Sequence, residues 1–271
     1  MNKSISDGPF ERYYDNGNLY QKGTYKNAEL DGTYEEFYKN GQLWQKHTLK
    51  DGIKEGAYEL YDENGQLREK SIFKDGSLNG PTEEYKHTGL PFCKGFYING
   101  RLDGVYEQYY DNGQLKEKTT YINGKLDGPY ESYHYNNGNL YQKTTYINGK
   151  LDGPYESYHE NGNLYEKGTY KNAELNGPYE RYHENGQLST KQTFIDGFSD
   201  GPFESYYDNG QLLQKVTFKD RWGESGTNET YYENGQLSYK EIFKDGGGIG
   251  TFERYKENGQ LREKGTIFEE E

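Results

Sequence analysis

The chain has 271 residues, a net charge of −13 and a mean hydropathy of −1.27, and Leu, Ile, Val and Phe make up only about 16% of it. Taken alone this describes a disordered chain, but 31 Tyr and 12 Phe carry the missing apolar area, because each Tyr ring buries a large surface while its hydroxyl stays wet. No apolar run approaches the ~18 residues of a membrane span and Cys93 is alone, so a spanning helix and an internal disulfide framework are both excluded.

Residues 1–9 show no hydrophobic signal region and run straight into a repeat. A soluble, cytoplasmic protein is expected. The repeat is anchored by turn glycines at Gly17, Gly41, Gly65, Gly89, Gly113, Gly138, Gly162, Gly186, Gly210, Gly235 and Gly259, in steps of 24 residues except for two of 25. A second glycine series, from Gly8 through Gly128 to Gly250, keeps the same period. Such self-similarity marks an array in which each unit covers its neighbour, and a single array over 1–271, with repeats from about 7 to 268, is expected.

Within the first repeat, aromatic residues flank Asn16-Gly17, a dipeptide suited to the two positive-φ positions of a type I′ hairpin. A two-residue loop there sets Asp15 against Asn18, Tyr13 against Tyr20 and Glu11 against Lys22. The last pair recurs in all eleven repeats, from Glu35 and Lys46 to Glu253 and Lys264, and predicts a continuous ladder of opposite charges across the strands. Tyr13 and its equivalents are aromatic in every repeat and are read as a ring stack between hairpins. At the opposite edge a looser turn is expected, as in Asn123-Gly124-Lys125-Leu126-Asp127-Gly128. The predicted fold is all-β: an elongated, single-layer antiparallel β-hairpin ribbon of about eleven 24-residue repeats, on the order of 100 Å long at the usual strand spacing.

Positions that vary between repeats are the candidates for function. The residue after the turn leucine, placed by this register on the face of the charge ladder, is aromatic at Tyr20, Trp44, Phe92, Tyr141 and Tyr165. Trp44, Phe92, Tyr141 and Tyr165 either anchor a partner or simply cover a thin sheet. The fourth repeat is irregular, with Thr88 in the turn and Pro91 where leucine is the rule. His134, His159 and His183 align in successive repeats, but repeats lie roughly 9–10 Å apart, too far to converge on one ion. No metal or cofactor is expected. An extra residue arrives between Gly210 and Gly226 with an atypical stretch in which Arg221 and Trp222 form a local partner-binding candidate.

Because the ladder cancels itself, the net charge arises elsewhere. The residue before the turn asparagine is acidic in eight repeats: Asp15, Glu63, Asp111, Glu160, Glu184, Asp208, Glu233 and Glu257. One edge should carry a line of negative charge that repels nucleic acid and anionic lipid and attracts basic surfaces. The bland alternative is solubility.

The segment Asn148-Gly-Lys-Leu-Asp-Gly-Pro-Tyr-Glu-Ser-Tyr158, followed by His159-Glu-Asn-Gly-Asn-Leu164, resembles the bacterial variant of the MORN repeat, and the likeness covers nearly the whole chain. That resemblance implies a single-layer hairpin ribbon with no catalytic residues. It also implies an antitoxin-like role, other MORN proteins being scaffolds or touching membrane phospholipid. The expectation is a non-enzymatic scaffold acting as an antitoxin or inhibitor. Its partner would be a basic protein, such as a nuclease or other nucleic-acid enzyme, bound without direct contact to nucleic acid or membrane. The alternative is a passive multivalent scaffold or membrane-associated organiser. The edge strands at each end are candidates for pairing into a homodimer.

Overall fold

A computed structural model describes residues 6–218, 225–244 and 249–267. They form 28 strands and no helix, and so none long and apolar enough to cross a membrane. The contacts divide the chain into two units, Met1–Gly138 and Asn139–Glu271. The boundary falls at the tip of the sixth repeat, which holds one of the two extra residues. In each unit the long strands follow chain order and pair antiparallel with the long strands before and after them, as the hairpin reading predicts.

The first repeat shows the pattern. Gly8–Tyr13 pairs with Leu19–Lys26, which then pairs with the two-residue strand Glu29–Leu30 and with Gly32–Phe37. Glu11 faces Lys22, as predicted, but the tip that sets this register is not a two-residue loop. The Gly17 amide donates to the Tyr14 carbonyl at 2.9 Å and the Tyr14 amide to the Asn18 carbonyl at 2.8 Å. The loop therefore has three residues: a type I turn, then Gly17 at φ 83°. This brings Tyr13 opposite Leu19 instead of Tyr20, and a one-residue bulge at Tyr20 then restores Arg12 to Gln21 and Glu11 to Lys22. Two one-residue departures cancel, so the ladder is right although the turn was misread.

Asn16 accordingly has no positive φ. Its side chain works instead in two directions. Oδ1 accepts the Asn18 amide at 3.1 Å, and Nδ2 donates to the Lys39 carbonyl of the next repeat at 3.0 Å. The same bond joins Asn40 to Glu63 (2.8 Å), Asn185 to Asp208 (2.7 Å) and Asn234 to Glu257 (3.0 Å). Asparagine is thus the staple between repeats as well as a turn former.

The type I′ turn lies at the opposite edge, where the looser turn was expected. Asn123-Gly124 is a two-residue loop closed by Ile122 opposite Lys125, with φ of 51° and 79°. Asp51-Gly52, Asp75-Gly76, Asn99-Gly100, Asn148-Gly149 and Asp196-Gly197 are built alike. Two repeats put alanine in the second position, Ala28 at φ 65° and Ala173 at φ 73°, both exposed. A Cβ in the left-handed region costs about 1–2 kcal/mol, partly offset because glycine loses more freedom on folding. Ala28→Gly with Ala173→Gly is therefore expected to stabilise the protein by about 1 kcal/mol in chemical denaturation. An unchanged midpoint would show that these turns relax without strain.

One face of the sheet is the core in both units. Leu49, Tyr58 and Cys93 are its buried apolar residues, with Gln21, Glu36, His47, Ser71, Thr82, Thr119, Thr144 and Ser157 buried beside them. All share the parity of Arg12 and Gln21, opposite to that of Glu11 and Lys22. An aromatic seam runs along this face: Phe10 meets Tyr25 (4.8 Å between centroids), Tyr34 meets His47 (5.0 Å) and Tyr58 meets Phe73 (5.7 Å). The second unit repeats it with Tyr155 and Tyr170 at 5.5 Å and Tyr179 and Phe194 at 5.8 Å.

Candidate functional site

The more open face carries the charge ladder. Glu35 lies between lysines of two repeats, Lys22 at 2.7 Å and Lys46 at 3.5 Å. Lys143–Glu156, Lys167–Glu180, Lys215–Glu204 and Lys240–Glu229 are equivalent pairs at 2.8–3.2 Å. The tyrosine row, expected as a ring stack, serves the ladder. Tyr61, Tyr109, Tyr133, Tyr206 and Tyr231 each donate the hydroxyl to the glutamate two residues before, at 2.6–2.9 Å. Lysine ammoniums lie over rings of the next repeat, Lys22 over Phe37 and Lys167 over Tyr182, both at 5.6 Å. The glutamates of the row are held by a tyrosine hydroxyl, a lysine or both, and none is set apart for chemistry, so the row is structural.

The tips are different. Asp15, Glu63, Asp111, Glu160, Glu184, Asp208, Glu233 and Glu257 are all exposed. Asp111 pairs with Lys86 at 2.9 Å. In the first unit the acidic tips alternate with Lys39 and His87, whereas in the second they are consecutive: Glu160, Glu184, Asp208, Glu233 and Glu257. Their main chains are held by the preceding asparagines, Asn139 to Glu160 at 3.0 Å and Asn161 to Glu184 at 3.0 Å beginning the series. The result is a row of five carboxylates about 9–10 Å apart, the separation of two strands.

The variable aromatic row is not on the ladder face. The bulge after the tip turns these side chains to the core face, where Trp44 lies 6.0 Å from Tyr38 and Tyr165 sits between His159 (4.9 Å) and the guanidinium of Arg181 (5.8 Å). Phe92 lies under Lys86 Nζ at 5.9 Å. These three and Tyr141 still expose 38–48% of their surface. Trp44, Phe92 and Tyr165 cap the rim of the core face by packing on the residue just before the tip. Arg221 and Trp222 lie outside the described residues.

That rim residue also staples repeats. Tyr14, Tyr38 and Tyr110 donate their hydroxyls to the carbonyls of Phe37, Tyr61 and Tyr133, at 2.7–2.9 Å. His159 and His183 place Nε2 at 3.2 and 3.0 Å from the equivalent carbonyls of Tyr182 and Tyr206. Histidine thus replaces tyrosine in one mechanical role, which explains their interchange in sequence. Among the described residues no group of His, Cys, Asp and Glu is arranged to hold a metal.

Sequence reasoning missed the carboxylates of the core face. Glu36 is buried and accepts from Tyr34 and Gln21, both at 2.6 Å, and from Gln45. Burial raises its pKa, but these three bonds outweigh it and hold the carboxyl below its ordinary value. Glu166 takes Tyr155 at 3.1 Å and Tyr179 at 2.5 Å, and Arg181 pairs with it at 3.1 Å. Burial pushes the Cys93 thiol up to about 11 and holds His47 below its ordinary value, so neither is poised as nucleophile or base near neutrality. The Glu36 position also holds Arg, Leu, Gln, Ser or Thr in other repeats and the Glu166 position Gln, Cys, Thr or Tyr, so no recurring residue type marks them and only their shared buried face reveals them.

In the third and fourth repeats the rim residue is Asp62 and Lys86 instead of an aromatic. The missing rings open a groove of about 520 Å³ lined by Leu60, Arg68, Glu84, Tyr85, Lys86 and Phe92, among others. The Lys86 ammonium bridges its wall, donating to the Tyr109 carbonyl at 3.0 Å.

No curated protein matches the chain. Among solved structures, similarity is found to "Crystal Structure of TcdB2-TccC3-Cdc42" (14% identity, TM-score 0.24, 95% of this chain). It is also found to "Crystal Structure of TcdB2-TccC3 without hypervariable C-terminal region" (13% identity, TM-score 0.22, 92% of this chain). The match spans 14% and 15% of those chains, respectively. The family described as MORN repeat variant matches residues 6–27, 30–51, 54–75, 102–123, 151–172, 175–196, 199–220, 224–245 and 249–267. The two repeats it passes over are the fourth, with Thr88 and Pro91, and the sixth, with the longer tip. With hairpins, staples and ladder recurring at the period this family matches, the chain belongs to the MORN repeat variant family.

Proposed function

We propose that this protein is a non-enzymatic scaffold that binds a basic protein surface along its acidic tips. Where that surface is the nucleic-acid groove of an enzyme such as a nuclease, binding blocks the enzyme, as an antitoxin would. The observation that supports this reading is the row Glu160, Glu184, Asp208, Glu233 and Glu257, exposed on tips whose backbones are stapled to a fixed spacing. A fixed row of like charges attracts a cationic surface without the ordering cost of a flexible acidic tail. It costs little stability, because the tips face water and salt screens them from one another.

The test is a variant with those five carboxylates changed to Gln and Asn, measured against the partner recovered from lysate by salt elution. Association should slow by about tenfold at low salt while dissociation changes little. Equal association rates for the two proteins would eliminate the electrostatic reading and leave the tips a solubility feature.

A further inference from the structure

Each joint between successive repeats uses one pattern. The second long strand of a repeat faces the first strand of the next, lysine to glutamate and the preceding residue to its neighbour: Lys22 to Glu35 with Gln21 to Glu36, and Lys167 to Glu180 with Glu166 to Arg181. The strand Gly8–Tyr13 has the receiving half of this pattern on its outer edge, and Leu261–Ile267 has the donating half on its own. Among the described residues neither outer edge has a partner strand. These are also among the most exposed strands, with Tyr13 at 58% and Leu261 at 48%. A row of unpaired amides and carbonyls on an exposed strand is a template for another strand.

We propose that a second copy of this chain docks head-to-tail, its strand Gly8–Tyr13 adding to the outer edge of Leu261–Ile267 in the register of the internal joints. Lys264 then faces Glu11, and Glu263 faces Arg12 as Glu166 faces Arg181, a pair made at 3.1 Å inside the chain. The rim and tip supply the same staples. Lys256 stands where Lys86 does, and Lys86 donates to the Tyr109 carbonyl at 3.0 Å and pairs with Asp111 at 2.9 Å. Across the proposed contact the corresponding acceptors are the Tyr13 carbonyl and Asp15. Asn258 takes the place of Asn234, reaching the Asp15 carbonyl as Asn234 reaches that of Glu257.

Two-fold pairing is disfavoured by the same residues. Two Gly8–Tyr13 strands joined antiparallel with matched faces bring Glu11 opposite Glu11, or Arg12 opposite Arg12 in the next allowed register. Two Leu261–Ile267 strands oppose Glu263 or Lys264 to itself. Like charges directly across a pair are destabilising. Only the heterologous contact makes every facing charge opposite, and it leaves one free edge of each kind for further copies.

Sedimentation velocity over a concentration series, with the chain alone, tests this. The wild-type protein should self-associate into a series extending past the dimer. Asp15→Lys and Lys256→Asp, both on exposed tips, should each weaken association at least about fivefold, and an equimolar mixture of the two should recover it. A protein that stays monomeric, or single variants that associate like wild type, would overturn the proposal. So would Asp15→Cys chains that cross-link to one another in preference to Lys256→Cys chains. Because no other partner is present, the result is independent of whether the tips bind a basic protein.

Discussion

Alanine at Gly226 should cost the protein about 3 kcal/mol, more than alanine at any other repeat-start glycine except Gly250. In the earlier repeats this glycine has positive φ and meets side chains rather than backbone: a Cβ at Gly177, φ 118°, meets only Thr169 at 3.9 Å, and the tightest case, Gly80, meets Ile72 Cβ at 2.9 Å. At Gly226 the φ is not in the left-handed region, and the strand stays paired up to the glycine, facing Phe218 on one side and Phe243 on the other. A Cβ there would lie 2.2 Å from the Thr217 carbonyl oxygen and 2.9 Å from Phe243 Cζ. The carbonyl belongs to the backbone and cannot swing aside, so the pairing itself must open. Gly250 repeats the arrangement, 2.4 Å from the Ile242 carbonyl oxygen. Gly177→Ala should cost only about 1 kcal/mol, from backbone strain. Urea midpoints of the two variants check the ranking; equal midpoints would mean the strand edge near Gly226 shifts freely.

The second large effect is a stability plateau bounded at both ends by one kind of hydrogen bond. The Tyr182 hydroxyl, with help from Lys167, holds Glu180 below its ordinary value of 4.5, and Tyr206 with Lys215 does the same for Glu204. For Glu229 the order is reversed, Lys240 first and Tyr231 second. A carboxyl depressed in the fold contributes stability that is complete above its unfolded value and is lost as pH falls through the folded one. The acid limb should therefore begin below about pH 4.5. At the other end, burial and the bonds to Glu204 and Glu229 push Tyr206 and Tyr231 up to about 12, from 10.0. A raised phenol contributes stability that is complete below its unfolded value and is lost as pH rises through the folded one, placing the alkaline limb between about pH 10 and 12.

Tyr206→Phe with Tyr231→Phe should lower stability at neutral pH by about 1 kcal/mol per bond and flatten both limbs. The second repeat, which has Phe37 at this position and two lysines on Glu35, shows that the fold tolerates the change. Chemical denaturation as a function of pH checks it. A double variant with the wild-type pH profile would show that the phenol–carboxylate bonds do not couple to folding.

The sequence by itself determined the all-β class, the period, the pairing of Glu11 with Lys22 and of its equivalents within each unit, and the acidic tips. Each rests on residues recurring at one spacing, which is a property of the chain alone. The tertiary structure decided which face is buried and what lies on it. Side chains alternate across a strand, so a one-residue slip moves a residue to the other side. The bulge at Tyr20 is such a slip, and no glycine or proline marks it. Trp44 and Tyr165 consequently join the core rim instead of the charge ladder, while Glu36 and Glu166 prove to be satisfied carboxylates of the buried side. Asn16 shows the same division: its place in a turn is legible locally, but its bond to the Lys39 carbonyl exists only once the next repeat has folded against it.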